Sequence, residues 1–187
     1  MLSMLILNVP ILGLLLLFGA YGQPSEKTRE EIQVPAVEAS IGAAENRMTN
    51  KCDTLFQKLN TYNSDRIGMS CGWGGVVTEN VTMMAELASY RCYGLIDSLM
   101  DAPNGSVKYL ATLALDMAMQ DSLIQADSVL IKRVNASEKV YVTFTLCEGC
   151  TGHDMVIKSI GTLIENKKKN RVLTDVRNYL RGEWTRW

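Results

Sequence analysis

The sequence predicts an all-α fold, a disulfide-stapled bundle of four or five helices. Three observations predict it: apolar residues recur at threes and fours over most of the chain beyond residue 36, only one segment alternates as a strand would, and five cysteines follow an N-terminus that reads as an export signal.

The export signal comes first. Met1 to Gly22 carries no charged residue and is dominated by Leu and Ile, most densely over Ile11–Gly19. An apolar run of roughly 8 residues is the length of a signal-peptide core, whereas a membrane-spanning helix needs about 20. Ala20-Tyr21-Gly22 has the small residues that signal peptidase reads, so residues 1–22 are expected to be removed and the mature chain to begin at Gln23. Residues 23–35, with Pro24, Pro35 and the mixed charges Glu26-Lys27-Thr28-Arg29-Glu30-Glu31, read as a flexible polar leader, and 36–187 as one helical domain. About 165 residues suffice for a real core. With 19 basic against 20 acidic residues, the chain lacks the charge of a general nucleic-acid binder. No second apolar run reaches spanning length, so no stable membrane span is expected once the signal is cut.

The helices follow in order. Val37, Ile41, Ala44, Met48, Cys52, Leu55, Leu59 and Tyr62 form one helix face. Asn63, Ser64, Asp65 and the glycines of Gly72-Trp73-Gly74-Gly75 break it, which puts Cys71 in a loop. Val81, Met84, Ala85, Ala88, Cys92, Leu95, Ile96 and Leu99 make a second helix, and beyond the turn Ala102-Pro103-Asn104-Gly105 a long third one runs from Val107 to Val134. Its apolar circumference suits a central helix. Residues 139–146 are ambiguous: Val140, Val142, Phe144 and Leu146 alternate as a half-buried strand does, but with no evident partner strand the segment is assigned to helix. Met155, Val156, Ile160, Leu163 and Ile164 restore a helical face, and Val172, Val176, Leu180, Trp184 and Trp187 close the chain at helical spacing.

In an exported chain Cys52, Cys71, Cys92, Cys147 and Cys150 read as a disulfide framework. Any of the five can be the odd one, with three pairings of the rest, and an odd thiol offers a route to a disulfide-linked dimer. Export also makes the sequons Asn80-Val81-Thr82, Asn104-Gly105-Ser106 and Asn135-Ala136-Ser137 candidate glycosylation sites.

Two short stretches suggest chemistry. Cys147-Glu148-Gly149-Cys150, a β-rich run entering a C-x-x-C that opens a helix, resembles the reactive pair of thioredoxin-like proteins. That resemblance implies a thiol-disulfide oxidoreductase in which Cys147 attacks and Cys150 resolves. Only 37 residues follow Cys150 and all four prolines lie at or before Pro103, so the later elements and cis-proline of that fold have no counterpart. Cys150-Thr151-Gly152-His153-Asp154 resembles the C-x-x-H-D core of secreted phospholipases A2, and Cys71-Gly72-Trp73-Gly74-Gly75 their calcium loop. The resemblance implies His153 as general base for lipid hydrolysis, and Asp154 with the carbonyls of Gly72 and Gly74 as calcium ligands. The loop stands about 80 residues upstream instead of one short segment away, and the dense cysteine lattice of that family is missing.

The C-terminal stretch from Lys158 is basic and carries Trp184 and Trp187; it reads as a final helix packing its tryptophans on the bundle, or as a docking surface for anionic lipid or an acidic partner. A single histidine excludes most hydrolase triads and histidine-rich zinc sites, and neither a serine elbow nor a phosphate loop occurs. The expected function is therefore a secreted, non-catalytic binding or interaction glycoprotein with no cofactor and no metal. Its partner is an extracellular protein or a small apolar ligand in a pocket softened by Met83, Met84, Met117 and Met119.

Overall fold

The computed structural model describes the backbone of residues 35–71, 75–149, 152–165 and 170–183, and their side chains from residue 46 onward, apart from 148–149 and 152–154. The expected signal peptide and the leader up to residue 34 lie outside the described residues, as do Trp184 and Trp187, while Pro35, the last leader residue expected, opens the first helix. The chain separates into two units, Met1–Pro35 and Ala36–Trp187, and the second holds the fold.

That fold is not an all-α bundle. The order is α1 (Pro35–Asn60), β1 (Arg66–Cys71), α2 (Glu79–Ser89), α3 (Tyr93–Leu99), α4 (Gly105–Gln120), α5 (Ser128–Glu138), β2 (Tyr141–Gly149), β3 (Gly152–Ser159), α6 (Ile160–Glu165) and α7 (Arg171–Leu180). Among the described residues, seven helices therefore accompany a mixed sheet in the order β1-β2-β3. β2 pairs parallel with β1 and antiparallel with β3.

Each departure from the sequence expectation has a local cause. The 139–146 segment is strand because its partners exist but are poorly signalled: β1 is six residues long with a central Gly68, and the Met155-Val156-Ile157 run of β3 hides its alternation. The second and third expected helices are each two helices. Just past the C-cap of α2, Arg91 has φ of 58°, and just past that of α4, Ser122 has φ of 55°, both left-handed. At these ends Cys92 N–H reaches the Leu87 carbonyl (3.0 Å) and Leu123 N–H the Ala118 carbonyl (2.8 Å), the long bond of a Schellman cap. The cap position usually holds glycine, so Arg and Ser there give the sequence no stop signal. At the end of α7 the same cap does use glycine, Gly182.

The sheet buries one face. Val142, Phe144 and Leu146 of β2 point into the core with Ile67 and Met69 of β1, while Tyr141, Met155 and Ile157 face outward. α4 lies on the inner face, where Tyr109 meets Phe144 with ring centroids 5.2 Å apart, and α2 and α7 pack beside it against β1. α1 joins through Leu55, Leu59 and the disulfide Cys52–Cys92. A second disulfide, Cys71–Cys147, crosses the parallel pair, with Cα atoms 5.4 Å apart. Cys71 is thus the last residue of β1 and not part of a loop, and Cys150 lies outside the described residues.

Gly68 sits under this second disulfide, opposite Cys147 in the register. A Cβ there would run into the Cys147 carbonyl oxygen and the Cys71 Sγ, whereas one at Gly94 in α3 would meet nothing within 4 Å. Gly68→Ala is expected to cost about 2 kcal/mol through overpacking. Gly94→Ala is expected to gain about 0.5–1 kcal/mol through helix propensity. Opposite shifts of the urea midpoint check the pair.

Candidate functional site

A cleft of about 630 Å³ opens where the C-terminal ends of α2, α4 and α7 come together. Its floor exists because the facing helices carry small residues there: Ala85 and Ala88 on α2, Ala114 and Ala118 on α4. Met117, Leu123 and Leu180 supply apolar wall, and Tyr93 and Tyr179 aromatic wall. The Schellman caps shape the mouth, since Arg91, Asp121 and Gly182 all line it. Arg181 there grips Asp121 with two bonds, Nε to Oδ2 at 3.0 Å and Nη2 to Oδ1 at 2.8 Å. Glu86 and Glu183 add acceptors. Burial pushes the Tyr93 phenol above its ordinary value, with Arg91 opposing and Asp121 reinforcing, so it stays a neutral donor at physiological pH. The lining combines apolar and charged groups and suits a small ligand that carries both an apolar body and a polar group.

Of the four methionines singled out from the sequence, Met117 lines this cleft. Met83 and Met84 are buried core and Met119 is half-buried against it. The alanine floor was missed because alanine carries no sequence signal beyond helix propensity.

The stretches that suggested chemistry are arranged differently from expectation. His153 and Asp154 lie in β3, opposite Cys147 and Leu146 of β2, so the helix that both resemblances require is strand. Cys147 is bonded to Cys71, 76 residues away, instead of to Cys150. Gly72 and Gly74 lie outside the described residues. Among the described residues no group of three or more His, Cys, Asp or Glu side chains is placed to hold a metal ion, and no helix is long and apolar enough to cross a membrane.

The three sequons differ sharply. Asn80 is fully buried; its Nδ2 donates to the Arg66 carbonyl and the Ser106 hydroxyl, both at 2.9 Å, tying α2 to β1 and α4. Asn104 caps α4 by accepting from Ser106 and Val107 N–H, while its Nδ2 donates to the Tyr62 and Ser64 carbonyls. Asn135 is exposed on α5.

The basic C-terminal stretch is partly spent inside the protein. Arg177 is buried, donating from Nη2 to the Gln120 Oε1 at 2.9 Å and lying 3.9 Å from Asp116 through Nη1. Arg181 holds Asp121, and Arg171 lies 3.8 Å from Asp175.

No protein-family model, curated protein or solved structure matches the chain.

Glu138 closes α5, and burial first, then the charges of Asp116 and Glu165, raise its pKa above the ordinary 4.5. The fold therefore holds this proton more tightly than the unfolded chain does. Glu138 opposes folding once the pH passes its folded value, and the opposition is gone when the pH falls below the unfolded value. Glu138→Gln should raise Tm at pH 7 and leave it unchanged near pH 3, as thermal melts at the two pH values would register.

Proposed function

We propose that the mature chain is a secreted, non-catalytic binding protein whose cleft at the ends of α2, α4 and α7 takes a small, largely apolar ligand. The observation that carries this reading is the cleft's lining: Ala85, Ala88, Ala114 and Ala118 with Met117, Leu123 and Leu180 make much of it apolar, and Glu86, Arg91, Asp121, Arg181 and Glu183 supply charged groups beside them. Two disulfides and an uncharged, apolar N-terminus with a small-residue cleavage sequence support export.

An environment-sensitive naphthalene dye, 1-anilinonaphthalene-8-sulfonate, is a suitable first probe. Binding at micromolar concentration with a rise in Tm is expected, and Ala88→Trp, which fills the floor, should weaken it about tenfold or more. Equal dye binding by wild type and Ala88→Trp, with wild-type Tm indifferent to dye, would end the cleft reading.

The same proposal assigns one N-glycan, at Asn135. A sugar on Nδ2 of Asn80 or Asn104 would take the place of donors that bond inside the fold. In protein secreted from eukaryotic cells, Asn135→Gln should lose the whole glycan mass. Asn104→Gln should keep it. Asn80→Ala should keep it in whatever folds, with stability lower by about 2 kcal/mol because two acceptors lose their buried donor. Intact mass before and after deglycosylation decides among these.

A further inference from the structure

The sheet has two edges, and they are treated differently. The β1 edge is closed by the segment that follows it. Thr78 N–H donates to the Gly68 carbonyl at 2.9 Å, the Gly68 N–H donates to the Thr78 hydroxyl at 3.2 Å, Asn80 takes the Arg66 carbonyl, and Cys71 and Val76 exchange both backbone bonds. The other edge is β3, eight residues long, and among the described residues only β2 pairs with it. An open edge of this length is a template for another strand. Its outward face is also apolar for a surface: Met155 is 68% and Ile157 63% exposed, beside Tyr141 on β2 at 75%.

We infer that β3 pairs antiparallel with β3 of a second copy, joining two three-stranded sheets into one of six strands. The argument for this occupant is self-complementarity. A twofold axis through Val156 sets position 154 of each copy opposite position 158 of the other, and 155 opposite 157. Asp154 then faces Lys158 twice and Met155 faces Ile157 twice, so like charges never meet. Lysine on an edge strand ordinarily discourages pairing; here the same strand carries its counter-charge at the mirror position. Within one copy positions 154 and 158 stand four residues apart along the strand, about 13 Å from backbone to backbone. This interface is independent of the cleft.

Sedimentation velocity of the mature chain in a Cys150→Ser background, where any dimer is non-covalent, tests the inference over about 1–100 µM. The wild-type surface should give a reversible dimer, and Ile157→Lys a monomer. Asp154→Lys and Lys158→Asp should each weaken dimerisation about tenfold, since each sets like charges together twice, and the double swap should return close to the starting affinity. That rescue is expected only if 154 and 158 meet across an interface; thermal melts confirm that each variant is folded. A monomer at 100 µM, or a double variant as weak as its two changes combined, overturns the proposal. So does concentration-independent protection of β3 amides in hydrogen exchange, which would mean that the chain's own residues cover the edge.

Discussion

Parallel pairing of β1 with β2 is the constraint from which the rest of the structure follows. The two strands are separated by the whole run from α2 to α5, and closing so long a loop has an entropic cost that grows with its length. Several local devices offset it. The Cys71–Cys147 bond ties the strands directly and, across a separation of 76 residues, removes roughly 4 kcal/mol of unfolded-chain freedom. Gly68 lets the backbones and the disulfide share one small space. Asn80 and Asn104 fix the beginnings of α2 and α4 to the chain around β1 through hydrogen bonds from their side-chain amides.

With that pairing made, the crossover has to be folded back onto the sheet, and α4 is the element that covers it. Its inner residues are almost all buried, from Val107 to Ala118, because β2, α2, α3, α5 and α6 surround it. The same arrangement brings the ends of α2, α4 and α7 together, and where two of these helices present alanines the packing leaves a cleft. Binding capacity here follows from side chains that are too small to close a junction of helix ends.

The polar groups divide by the same geometry. Those near the strand starts are consumed in holding the crossover, as Asn80 and Ser106 are, while Arg177 with Gln120 and Asp116 joins α7 to α4 away from the sheet. Burial near this second group makes the Tyr109 phenol hard to ionise, Arg177 opposing only in part. Sheet edges divide too: the edge beside the crossover is closed by residues 76–80, and the far edge carries opposite charges symmetrically about Val156.

The amino-acid sequence by itself determined the helical character of most of the described residues. Local periodicity located the face of α1 with Cys52, Leu55 and Leu59, the turn capped by Asn104, and the face of α7 with Val172, Val176 and Leu180. It also located the strand-like alternation of Val142, Phe144 and Leu146, though not its fate. Whether that alternation became a strand depended on partners distant in sequence, a six-residue β1 and a β3 with three apolar residues in a row. Only the tertiary structure decided the broken helices, because Arg91 and Ser122 adopt a glycine-like conformation held by cap bonds that composition does not announce. It alone decided which sequon is exposed, since the same Asn-x-Ser/Thr pattern is a buried bracket at 80, a helix cap at 104 and a surface group at 135. The cleft was likewise illegible: periodicity records that a face is apolar, but an empty volume belongs to the meeting of three helix ends and to no one of them.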